Sequence, residues 1–126
     1  LARALQHIDL HFRENIDQKE LAQLCGMTPS RFSRLFKDVY GVCYVEHILA
    51  KRMEFAKDRL DNSQMPITTI GYEAGFRDPS YFARAFKQFA GCTPSEYRNR
   101  RTGATGVSDL TESFQPLVDI EYDIGA

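Results

Sequence analysis

The chain has 126 residues, 43% of them hydrophobic and 26% charged, with a formal net charge of −1. That is the size of one ordinary domain, or of a small domain with a tail, and no apolar run approaches the roughly 18 residues that a membrane helix needs. The three cysteines, Cys25, Cys43 and Cys92, are odd in number and far apart, which fits neither a disulfide framework nor a CxxC metal site and reads as reduced thiols in a cytoplasmic protein.

In chain order, Leu1 to Phe12 predicts an amphipathic helix, with Leu5, Ile8 and Phe12 at three- and four-residue steps. No signal peptide is visible, and the chain opens on Leu1 rather than Met, so it reads as cut from something longer. Asp17 and Glu20 have the spacing of a capping box, opening a short helix that Gly26 ends. Thr28-Pro29 predicts an N-cap followed by proline at the first helical position. That helix runs to about Tyr40, with Phe32, Leu35, Phe36 and Val39 as its buried stripe and Gly41 as its stop. A long helix from about Tyr44 to Leu60 follows, and Pro66 lies beyond it. A short helix over about 67–74 ends at Gly75. Asp78-Pro79 opens a helix that buries Phe82, Ala85, Phe86 and Phe89 and stops at Gly91. Thr93 and Glu96 form a further capping box for a last helix to about Arg101. No strand is expected before residue 102.

Residues 102–126 form an acidic tail with Gly103 and Gly106 in its first part. Its stretch 117–124 alternates apolar and acidic residues, as a half-buried strand does; it reads as a solvated tail or the start of another domain. All 16 Lys and Arg lie between Arg3 and Arg101, with 12 acids among them, so residues 1–101 carry 16 − 12 = +4. The tail holds the other five acids and carries −5. A basic body of this kind suits a polyanion partner, which the overall charge conceals.

The segment PSRFSRLFKDVYG (29–41) repeats as PSYFARAFKQFAG (79–91), with seven identities at an offset of 50. Each copy follows a short helix, a Gly and a tight turn, which is the pattern of a helix-turn-helix. In the first copy Ser30, Ser33, Arg34 and Lys37 share a polar face; in the second, Ser80, Ala83, Arg84 and Lys87 take the same places. Small side chains let a helix approach the major groove, and arginine forks onto guanine O6 and N7. Lys37 and Lys87 suit phosphate, or the negative ends of their own helices. One such face is commonly just solvated; two matched copies point to DNA.

With this repeat, and with the stretch ITTIGYEAGFRDPSYFARAFKQFAGCTPSEYRNR (67–100), its Gly-Phe turn, F-K-x-x-x-G-x-T-P segment and Tyr-Arg ending, the chain resembles the AraC/XylS family of bacterial regulators over about residues 1–101. The segment 21–41 and Arg52, Ala56 and Leu60 of the long helix add to the resemblance. It implies an all-α fold of about seven helices: two homeodomain-like helix-turn-helix subdomains, over about 1–41 and 67–101, joined by a linker helix at about 44–60. It implies that two recognition helices enter adjacent major-groove segments of double-stranded promoter DNA. By position, Ser30, Arg31, Ser33 and Arg34 would read the first segment, and Ser80, Tyr81 and Arg84 the second. The implied role is transcription control by activation, with RNA polymerase as a partner and the effector or sensor domain missing from this fragment. Three positions depart from the family pattern. Gly71 stands where Ala is usual, which by propensity loosens its helix at a cost of about 1 kcal/mol. Ala83 is too short to hydrogen-bond a base. Cys43-Tyr44 replaces the usual start of the linker helix.

His7 and His11 lie one turn apart without a third ligand and read as surface histidines, so no metal or cofactor is expected. Arg98, Arg100 and Arg101 form a basic cluster that suits either DNA flanks or a solvated helix end. No catalytic constellation stands out, and the chain does not read as an enzyme. The competing class is a protein-interaction module that keeps this fold without DNA readout; it calls for an apolar or acidic face where Arg34 and Arg84 stand.

Overall fold

A computed structural model describes the backbone of residues 1–103 and the side chains of residues 1–100. Among the described residues seven helices follow one another: α1 (Ala2–His11), α2 (Gln18–Leu24), α3 (Pro29–Tyr40), α4 (Tyr44–Asn62), α5 (Ile67–Glu73), α6 (Pro79–Ala90) and α7 (Pro94–Gly103). There is no strand among the described residues. The stretch 117–124, expected as a strand, lies outside them. The chain divides inside α4, between Arg52 and Met53, into two units.

In the first unit the helix ends are set by local chemistry. Asp17, in extended conformation, accepts the Lys19 N–H at 3.2 Å and caps α2. Glu20 does not close the expected box; its carboxylate stands 3.5 Å from His7 Nε2, so it ties α2 to α1. Thr28 Oγ1 accepts the Arg31 N–H at 3.4 Å, and Pro29 follows at the first helical position of α3. Gly41 ends α3 at φ 82°, a left-handed conformation that glycine adopts without a Cβ penalty. The core is formed by Ala4, Ile8, Ile16, Leu21, Ala22, Phe32, Phe36, Ile48 and Leu49. Phe32 packs against Phe36 and Tyr44, with ring centroids 5.8 and 5.5 Å apart. Val39 does not join this stripe: it is 57% exposed, one residue before the end of α3. Leu35 is half-buried.

Arg52 is fully buried among these apolar groups. Its Nε donates to Phe12 O at 2.6 Å and its Nη2 to Glu14 O at 2.9 Å. The guanidinium thus satisfies carbonyls in the α1–α2 connection, whose backbone has no helix ladder to receive them. Burying a charge is costly unless it is bonded in this way.

The second unit is built on Met53, Ala56, Leu60, Ile70, Phe76, Phe82, Ala85 and Phe86, with Cys92 beside them. Asp78 Oδ1 accepts the Ser80 N–H at 3.0 Å at the start of α6. Thr93 and Glu96 do form their reciprocal box: Thr93 N donates to Glu96 Oε1 at 3.0 Å, and Glu96 N to Thr93 Oγ1 at 3.1 Å. The Thr93 backbone N–H, and after it the Thr93 hydroxyl, hold the Glu96 carboxyl below the usual carboxylate range. Phe89 is half-buried rather than in the core, with Lys57 Nζ 5.1 Å from its ring centre.

Gly71 corrects the propensity argument. It is buried in α5, and a Cβ built on it would stand 2.8 Å from Phe82 Cδ2 and 3.0 Å from Cγ. Real Cβ contacts are essentially never that short. The missing side chain is therefore the space that the Phe82 ring occupies, not a source of looseness.

Candidate nucleic-acid interface

At 100° per residue, positions 30, 34 and 37 of α3 share one side of the helix, with 33 at its margin, and Phe32 and Phe36 lie on the other side. Burial follows that geometry. Ser30, Arg31, Arg34 and Lys37 are exposed, while Phe32 and Phe36 are fully buried. Arg31 and Arg34 line a shallow cleft with Leu35 and Asp38. Lys37 sits in the last turn, where its charge complements the helix dipole. Ser33 is half-buried and is held from α2: Gln18 Nε2 lies 3.3 Å from Ser33 Oγ and 3.0 Å from Pro29 O.

On α6, Ser80, Arg84 and Lys87 are exposed at the matching positions, and Ala83 is half-buried. Tyr81 departs from the expectation. It is only 4% exposed, and its ring packs edge-on against Phe76 with centroids 5.8 Å apart. A ring in the core cannot lie along a base edge. The partner comes from the residue after the glycine of the turn, which is Met27 in the first unit and Phe76 in the second. Phe76 is itself buried and gives Tyr81 an apolar partner that Arg31, its counterpart at the offset of 50, does not have. Tyr81 instead backs the polar face, with the Arg84 guanidinium 6.0 Å from its ring centre, the outer reach of a cation–π contact.

Arg98, one of the basic cluster near the end of α7, donates through Nη2 to Ser63 O at 3.2 Å. His7 and His11 lie with ring centroids 4.6 Å apart, and each faces a carboxylate, Glu20 at 3.5 Å and Glu14 at 3.0 Å. Among the described residues no helix is long and apolar enough to cross a membrane. Sequence reasoning missed the buried role of Arg52 and the Gln18 bonds. A lone Arg between Leu49 and Met53 in an apolar helical stripe was the available sign of the first. The second joins residues 15 apart across a turn and leaves no periodic sign.

Residues 21–100 match a family model described as a helix-turn-helix domain. The arabinose operon regulatory protein of Escherichia coli (strain K12) is 38% identical over 96 residues, covering 75% of this chain and 33% of that protein. The chain thus spans about a third of the length of this relative. Among solved structures, the C-terminal domain of AraT, a response regulator from Geobacillus stearothermophilus, superposes with a TM-score of 0.75 at 31% identity, covering 79% of this chain and 84% of that one. The DNA-binding domain of AdpA, a global transcriptional factor solved in complex with a target DNA, shares the fold with a TM-score of 0.75 at 24% identity, over 81% of this chain and 92% of that one. These relatives are regulators.

Proposed function

Because the chain belongs to the AraC/XylS-type helix-turn-helix family, we propose that it reads specific promoter sequences by setting α3 and α6 into adjacent major-groove segments. The carrying observation is the matched pair of exposed faces. Ser30, Arg34 and Lys37 on α3, and Ser80, Arg84 and Lys87 on α6, stand at equal helical positions over buried aromatic backs. The arginines supply forked donors for guanine, the serines let the helix approach, and the lysines balance phosphate charge. Arg31 and Ser33 extend the reading face of α3; Tyr81 supports Arg84 from below.

In this reading the whole protein is a transcription activator of the bacterial cytoplasm. It meets RNA polymerase at the promoter and carries its effector or sensor domain elsewhere in its length. The exposed arginines weigh against a pure protein-interaction module, which has no use for two matched cationic faces. Selection of binding sites from random duplex DNA, followed by mobility shifts, tests the reading. The expected site has two specified segments centred about 10 base pairs apart. Equal affinity for every sequence would overturn it.

A further inference from the structure

We propose that Gln18, the first residue of α2, sets the hydrogen-bonding polarity of Ser33 on α3 and is thereby a positioning residue for base preference where Ser33 meets DNA. The proposal rests on the DNA-reading function above. The Gln18 amide has two N–H donors. It directs one to Pro29 O at 3.0 Å and the other to Ser33 Oγ at 3.3 Å.

Both acceptors matter. A helical serine can return its hydroxyl proton to the carbonyl four residues back, which for Ser33 is Pro29 O. That carbonyl already receives the Ser33 N–H of the α3 ladder. With Gln18 added, its two lone pairs are both engaged. Gln18 also places a donor on Ser33 Oγ itself. The hydroxyl proton is displaced from its intrahelical acceptor and repelled from the amide, so it points outward, beside Ser30 and Arg34. Ser33 then acts as a donor. It suits an acceptor in the major groove, such as guanine N7 or O6, adenine N7 or thymine O4, and it disfavours the cytosine N4 amino group.

The second unit has no such device. The counterpart of Ser33 is Ala83, and α5 begins on Ile67. Base preferences in the segment read by α6 therefore serve as an internal control for any Gln18 variant.

The test uses the full chain, its thermal midpoint and a duplex library in which every base of the selected site is varied. Ser33→Ala identifies the base position that Ser33 faces. Gln18→Ala is expected to reduce discrimination at that position alone by about two- to tenfold, the worth of one neutral hydrogen bond. Gln18→Glu supplies a carboxylate that accepts the Ser33 proton and leaves a lone pair facing outward. It is expected to move preference there toward cytosine, while its added charge weakens binding to all sequences alike. In a Ser33→Ala chain neither change moves any preference. The proposal is overturned if Gln18→Ala weakens all sequences equally at an unchanged thermal midpoint, or shifts preferences when Ser33 is absent, or if Gln18→Glu leaves the preference at that position as it was. A wild-type chain that selects no sequence would overturn the DNA-reading function first, and this proposal with it.

Discussion

The ring of Phe82 occupies the volume that a side chain at Gly71 would fill: a Cβ there would meet Cδ2 at 2.8 Å. Gly71→Ala sets two opposed effects against each other. Helix propensity favours alanine by about 1 kcal/mol, and overpacking a filled core costs about 1–3 kcal/mol. Phe82 is buried and its near ring atoms are the ones struck, so the cost wins. Gly71→Ala is expected to lower stability in urea unfolding by up to about 2 kcal/mol, and Phe82→Leu in the same chain to recover part of the loss. A more stable Gly71→Ala chain would show that the ring yields freely.

Arg52 bears on stability in a different way. Arg52→Lys keeps the charge but cannot span Phe12 O and Glu14 O with a planar fork. A hydrogen bond made by a charged group contributes about 1.5–3 kcal/mol. Both Arg52→Lys and Arg52→Met are expected to destabilise by at least about 2 kcal/mol, with faster amide exchange in the α1–α2 connection. Unchanged denaturation midpoints for both variants would contradict the clamp.

Arg34 and Arg84 lead to a prediction about specificity. Arg34→Ala and Arg84→Ala should each cost about 1–3 kcal/mol on the selected site and little on random DNA. Parallel titrations at one salt concentration measure both. Equal losses on the two DNAs would mean that these side chains hold phosphate.

The thiols should differ in reactivity. Cys92 is 1% exposed, and burial raises its thiol pKa above the ordinary value. Less of it is thiolate at neutral pH, and reagents cannot reach it. Brief alkylation of the folded chain is expected to label Cys25 and Cys43, which are half-buried, and to spare Cys92 until denaturant is added. Peptide mass spectrometry reads this directly, and early labelling of Cys92 would show that this part of the second unit opens readily.

Helix ends were legible because they are written locally. Thr28-Pro29, Asp78 and the glycines at 41 and 91 act within a few residues of where they stand. Side-chain roles were less so. Tyr81 borders the polar face by helical angle, yet it packs against Phe76 in the core. Val39 has the spacing of a core residue but stands exposed near the end of α3. Gly71 looked costly because propensity counts one helix at a time, and its contact is on the next. Gln18 and Arg52 act through bonds to residues 11 to 40 positions away, which no periodicity encodes.

The bonds of Arg52 also bear on where the first unit can be cut. Its most recognisable motif begins at Leu21, so a minimal fragment chosen by motif would start there. Such a fragment would keep the cation and discard the carbonyls of Phe12 and Glu14 that receive it. It would also strip the cover that Ala4, Ile8 and Ile16 provide. The smallest autonomous piece is therefore larger than the segment that carries α3, and α1 is a structural component of the first unit.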